Sequence, residues 1–404
     1  IHEFGGEPQV CDWDEGLWWD AGPSRVPFFH RAFFYYCRLF GIPLANYENF
    51  DLNAWVYAEG IERNLAETPV RFGKMLADMA GYTSELLYKT HDPEKLDEYL
   101  TPADQELLLD YLTRWGMLSE TGSYATNDRI GYSTYPGVAT QRVKLDPYPL
   151  EDVLPLAASL VQSQQSYLSA VPVYDWQSTL VYPVGGMGQL YANGFQPAFR
   201  DRLKLRAPVL EIRQSDEQVR IVYTDPNTGE PAELVADYCL CNIPLSVLTG
   251  IEADFSSEFR EAIARVPYAM TFRMGLAFDR RFWEEDDWIY GGQSYFNNPQ
   301  INIIQYPTEG YGSQKGVLLG SYAFGLYAAR MSARTNQERV DYALDYVSRI
   351  HPTMRDSFSS GISVAWHRMP YQLGAYPAYS SFNRSSSYER LLQPDGRVYL
   401  VGEH

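Results

Sequence analysis

The spacing of apolar and polar positions along this chain changes near residue 180. Before that point helical spacing prevails. The stretch "FFHRAFFYYCRLFG" (28–41) reads as a helix, with Pro27 near its first turn and Gly41 as its stop. Farther on, Thr101, Pro102 and Asp104 supply a cap, a first-turn proline and a first-turn acid. Leu107, Leu108, Tyr111, Leu112 and Trp115 then fall on one helical face, and Gly116 ends it. After residue 180, "PVGGMGQL" leads into a helical pattern through Leu205. Three short strands of a meander follow in "PVLEIRQ", "QVRIVYTD" and "ELVADYCLCNIP", separated by the turns "SDE" and "PNTG". A helix over "SSEFREAIARV", alternating strands to about residue 325, a helix over "NQERVDYALDYVSRI", the turn "PDG" and a closing strand complete the pattern. The opening "GGEPQVCDWDEGLWWDAG" reads as strands and turns. Strand and helix blocks interleave without strict βαβ alternation, so the class is α+β or mixed α/β with a helical insertion.

Composition narrows the function. At 404 residues the chain exceeds one ordinary core, and two or three domains are expected. Apolar content of 45% and charge of 21% fit a globular chain. The longest uncharged apolar stretch, "GVLLGSYAFGLYAA" (316–329), is shorter than the about 20 residues a bilayer requires, so no membrane span is expected. A net charge of −18 argues against a nucleic-acid partner. Cys11, Cys37, Cys239 and Cys241 are too sparse for a disulfide scaffold, and Cys239 and Cys241 share one strand face as structural thiols. The scattered histidines form no metal-binding pair, and no G-x-S-x-G turn offers an acyl-transfer serine. "PVGGMG" lacks the Lys-Ser/Thr of a phosphate loop. His367 reads as part of an aromatic cluster in "VAWHRMPY".

Arg25 stands out. It is expected just before a helix N-terminus, where a cation is unfavourable by roughly 0.3–1 kcal/mol unless an external anion binds there. A solvated arginine, or one paired with a nearby acid, would account for it equally well.

Six motifs occur in order: "AGPSRVP", "YPVGGMGQL", "ADYCLCNIPLSVL", "FWEEDDWIYGG", "WHRMPYQLGAY" and "GRVYLVGEH". Together they resemble the FAD-dependent amine oxidases, most closely the L-amino acid oxidase branch. The resemblance implies a Rossmann-like FAD-binding domain of the glutathione-reductase/amine-oxidase type, a mixed-sheet substrate domain and a helical insertion. It divides the chain into FAD-binding parts at 1–20, 169–262 and 393–404, substrate-domain parts at 21–68 and 263–392, and a helical domain at 69–168. The family's glycine-rich G-x-G-x-x-G unit would lie upstream of Ile1, and its tryptophan loop beyond His404. On that basis the 404 residues alone are expected neither to hold FAD nor to turn over, and a cytoplasmic location is favoured, with export left open.

The implied activity is oxidative deamination of an L-amino acid by hydride transfer from Cα to the flavin. O2 is the electron acceptor, and the products are a keto acid, ammonia and hydrogen peroxide. Gly22, Pro23, Ser24 and Arg25 match the stretch beside the flavin ring, with Arg25 gripping the substrate carboxylate. Tyr322 matches a tyrosine that supplies a second carboxylate hydrogen bond. Val209 matches the backbone contact to adenine, Trp366 and Tyr371 match aromatic flavin contacts, and Glu403 matches the FAD-contacting glutamate. Two positions depart from the family. Arg273 stands where relatives place a lysine near the flavin, which bears on the oxygen step and keeps a decarboxylating amino acid monooxygenase as the alternative. Gln305 stands where relatives often carry an aromatic residue near the substrate. Homodimerisation is a further expectation of the resemblance alone.

Overall fold

A computed structural model describes residues 1–59, 67–72, 100–116, 118, 126 and 180–404. The largest sheet holds seven strands. They are β2 (Trp55–Tyr57), β3 (Val70–Arg71), β10 (Thr271–Phe278), β11 (Gln293–Phe296), β12 (Ile303–Gln305), β13 (Gly316–Phe324) and β14 (Phe358–Ala365), in the order β14-β10-β13-β12-β11-β2-β3. Every residue of β10 is buried, as "TFRMGLAF" requires of a strand covered on both faces. On one face lies helix α5 (Asn336–Val347), which presents Val340, Ala343, Leu344 and Val347 to the core at helical spacing. A capping box between Thr335 and Glu338 fixes where α5 begins. On the other face the indoles of Trp13 and Trp19 press against Gly275 of β10, where a Cβ would lie 2.9 and 2.8 Å from them. The glycine lets the N-terminal segment cross the sheet.

A four-stranded sheet runs β7 (Pro231–Ala236), β6 (Val219–Thr224), β5 (Val209–Gln214), β9 (Glu252–Ala253), and packs on helix α3 (Ser257–Ala264) through Ile212, Val219, Phe259 and Ile263. Two short pairs complete the sheets. β15 (Val398–Leu400) pairs in parallel with β8 (Cys239–Cys241), and β1 (Leu44–Asn46) pairs antiparallel with β4 (Val181–Pro183). Helix α1 covers Arg31–Leu39, α2 covers Pro102–Gly116 and α4 covers Gly325–Ser332. The class is mixed α+β.

Four local expectations are corrected. Helix α1 starts at Arg31, not near Pro27, because Val26 is drawn into an antiparallel bridge with Val181. Arg25 therefore lies outside the first helical turn, and the dipole contributes little to its placement. The third meander strand splits at Asp237–Tyr238, since β7 and β8 serve different sheets. The first twenty-five residues contain no strand; they run as a strap held by side chains, with Gln9 Nε2 donating to Ser363 O and Ser363 N to Gln9 Oε1 (3.1 and 2.9 Å). Leu107 of α2 is exposed rather than facing inward. Most of the expected helical domain at 69–168 lies outside the described residues.

Candidate active site

The strap brings Trp18 to Arg25 across the sheet, and the glycine-rich turn holds it. Gly185 and Gly186 both adopt positive φ (89° and 95°), and a side chain at Gly186 would run into Trp18 at 2.8 Å. The backbone N–H of Met187 in the same turn donates to Asp20 Oδ1 at 2.9 Å. "PVGGMG" thus serves as a seat for the strap. Val26 and Val181 exchange backbone hydrogen bonds at 2.8 and 3.0 Å, which fixes the direction of Ser24 and Arg25.

From the sheet side come Arg273 and Tyr322, direct partners across β10 and β13. Arg273 is almost wholly buried. Its Nη1 donates to Gly22 O, and its Cζ lies 5.0 Å from the Tyr322 ring centroid and 5.6 Å from that of Trp19. Its Nε has no hydrogen-bond partner among the described residues. Burial pulls the guanidinium pKa down, against the pull of Tyr322, Tyr47 and Asp20. Trp366 Nε1 donates to Ala21 O at 2.9 Å, and its ring lies against Gly22.

These groups border one cavity of about 540 Å³, lined by Gly22, Pro23, Ser24, Arg25, Thr271, Arg273, Tyr322 and Trp366, with Gln372 and Tyr376 at its far side. Arg25 and Tyr322 therefore share a cavity. None of its described lining residues is a carboxylate. Gln305 is set behind it. Its Nε2 donates to Tyr47 OH, and the Tyr47 ring centroid is 5.8 Å from Arg25 Cζ. Burial pushes the Tyr47 hydroxyl pKa up, so the phenol stays neutral.

Val209 and Tyr371 lie elsewhere, on a second cavity of about 550 Å³ with Lys204, Arg206 and Asn242. Tyr371 thus lines a different cavity from Trp366, with which the sequence motif groups it. Glu403 accepts a hydrogen bond from Tyr268 OH at 2.7 Å, and Tyr268 OH accepts one from Leu245 N at 2.9 Å. Beside it Gly402, at φ 115°, approaches Asn242 of the second cavity so closely that no side chain fits. Tyr47, Asp20, Thr271 and Tyr376 carried no sequence signal of their own; Asp20 could have been noticed only because it directly precedes "AGPSR".

Among the described residues no group of His, Cys, Asp and Glu is arranged to hold a metal, and no helix is long and apolar enough to cross a membrane. All four cysteines are free thiols. The sequence is 25% identical to an L-amino-acid oxidase of Demansia vestigiata, over 96% of this chain and 73% of that one. It is 24% identical to an L-amino-acid oxidase of Vipera ammodytes ammodytes, over 96% and 78%. In structure it resembles a cyclohexylamine oxidase from Brevibacterium oxydans, with a TM-score of 0.58 at 14% identity, covering 95% of this chain and 81% of that one; this likeness concerns the fold. The family model for flavin-containing amine oxidoreductases matches residues 10–404, and the chain belongs to that family.

Proposed function

We propose that this protein carries out the oxidative deamination of an L-amino acid, with Arg25 and Tyr322 orienting the substrate carboxylate. One observation carries this reading: the 540 Å³ cavity is bordered by two guanidiniums, Arg25 and Arg273, and by the Tyr322 phenol, with no carboxylate in its described lining. A substrate carboxylate there gains charge-assisted hydrogen bonds. A substrate with only an ammonium would meet two like charges, each costing roughly 3 kcal/mol at about 5 Å and an effective dielectric of about 20. The identity with L-amino-acid oxidases supports the same reading.

FAD fits the residues present. The cavity of about 540 Å³ has room for a flat ring, and Gly22, Pro23, Ser24 and Trp366 would line its place. Lys204 and Arg206 supply cations beside Val209, suited to a phosphate-bearing group, and Val209 with Tyr371 would flank its nucleoside end. Glu403, held by Tyr268, would face the cofactor between them. When bound, FAD supplies the acceptor for the hydride leaving Cα. The chain's own part is to hold Cα in a near-attack position, which a forked guanidinium does better than a flexible ammonium.

The test is a peroxide-coupled panel of L-amino acids and their decarboxylated amines, run on the flavin-loaded full-length protein. Amino acids should be oxidised and the matched amines should fail. Arg25→Ala should raise KM at least tenfold, corresponding to the roughly 1.5–3 kcal/mol of a charge-assisted bond. An unchanged KM removes Arg25 from the site. Mass spectrometry of the product separates a keto acid from the amide that a monooxygenase, the alternative kept open by Arg273, would release.

A further inference from the structure

Behind Arg273 lies a second, much smaller chamber of about 40 Å³. Trp19, Asp20, Tyr47, Arg273, Gln305 and Glu309 are among its lining residues. Three of these residues carry a buried polar atom without a partner among the described residues: Trp19 Nε1, Asp20 Oδ2 and Arg273 Nε. Native interiors seldom leave such atoms unsatisfied, and a chamber of this size beside three of them has room for about two or three waters. Ser24 and Arg273 line both this chamber and the substrate cavity. Glu309, also in the lining, is only part buried, and the next three residues, Gly310 to Gly312, are exposed. The chamber therefore adjoins the substrate cavity through Ser24 and Arg273 and has a part-exposed acid in its wall.

We propose that water in this chamber conducts the proton that the substrate amine must lose before oxidation, and that the Glu309 carboxylate receives it. The inference rests on the oxidase reading. An amino acid binds as an ammonium, and hydride can leave Cα only once nitrogen has a free electron pair. The step balances as R–NH3⁺ plus Glu309–COO⁻ giving R–NH2 plus Glu309–COOH, with water relaying the proton and no electron moving. Glu309 then returns the proton to solvent at its exposed end.

The surroundings of Glu309 suit the task. Burial pushes its carboxyl pKa up to about 7, with Arg281 opposing and Asp20 assisting. The Asp20 carboxyl is itself raised by burial, against the Met187 hydrogen bond and Arg273. The other ionisable groups facing Glu309 are Tyr182 from β4 and Tyr311 from its own loop, both raised by burial. Glu284 lies nearby but is neutralised by its buried pairing with Arg281, and Glu48 faces Tyr311 from beyond. A group poised near neutrality is the efficient proton acceptor there.

Two measurements on the flavin-loaded full-length protein test this. Infrared difference spectra across the neutral range should contain a carboxylic-acid C=O band that titrates and is lost in Glu309→Gln. In the pH profile of kcat, the limb rising through neutrality should vanish in Glu309→Gln with kcat lowered at least tenfold and KM unchanged, and Glu309→Asp should restore it. Asp20→Asn should keep the limb but move it to lower pH, because a like charge has been removed. If Glu309→Gln leaves both band and limb unaltered, or if KM and kcat change together with no change in the pH profile, the proposal is overturned. The infrared band is read without substrate, so loss of Glu309 titration is told apart from failure of the amino-acid reading.

Discussion

Two buried arginines flank the same sheet and are treated in opposite ways. Arg339, 3% exposed, spans Glu3 with two hydrogen bonds of 3.0 and 2.8 Å and also donates to Ser363 Oγ, Ser332 O and Arg334 O. Among the described residues Arg273, 6% exposed, donates only to Gly22 O, keeps Nε unpartnered and has no carboxylate in salt-bridge contact. Both charges paid a desolvation cost on folding, and only the first recovers it inside the chain. A saturated buried cation is a clamp: through Glu3, which also accepts from Ala365 N at 2.9 Å, Arg339 ties the strap to β14. An unsaturated one is a place where something else completes the shell. The difference separates fold from site.

The largest effect should come from breaking the clamp. Glu3→Ala leaves Arg339 buried and uncompensated, and should cost about 3–5 kcal/mol in chemical denaturation. Next comes the strap's crossing point. Gly275→Ala pushes a methyl into Trp13 and Trp19, and should cost about 1–3 kcal/mol while disturbing the wall beside Arg273. Arg273→Met should behave unlike both. Unfolding free energy should stay within about 1 kcal/mol, since an under-satisfied cation is removed, while KM for amino acids rises. A stability loss matching that of Glu3→Ala would erase the distinction between the two arginines. The smallest effect is a slope. Glu309 holds its proton up to about 7 in the folded chain, against 4.5 for a free glutamate. The folded state therefore binds more protons between those values, and stability should decline as pH climbs through that window and level off above it. Glu309→Gln should flatten that stretch of the curve, as melting temperatures across the window would reveal.

Much of the fold was legible in the residues. The apolar spacing of α5, the helix over "SSEFREAIARV", the turn at "SDE" and the stop at Gly41 are each local, and local patterns report them faithfully. The strap was not legible, because its conformation is imposed by Gly275, Gly186 and the Glu3–Arg339 pair, all far away in sequence. The start of α1 was misjudged for the same reason, as a bridge to Val181 outbids the helix at Val26. Site residues fell along the same line. Arg25 and Tyr322 were picked out by motif, whereas Glu309 in "PTEG" looks like any solvated acid in a turn.

Sequence by itself determined the family, the mixed class and the chemical kinds of group available, because ordered motifs and apolar periodicity are properties of neighbouring residues. Only the tertiary structure decided which arginine receives a carboxylate from the chain and which does not, and which acid faces a buried chamber. Desolvation and pairing are set by what packs against a group from distant segments, and no local pattern carries that information.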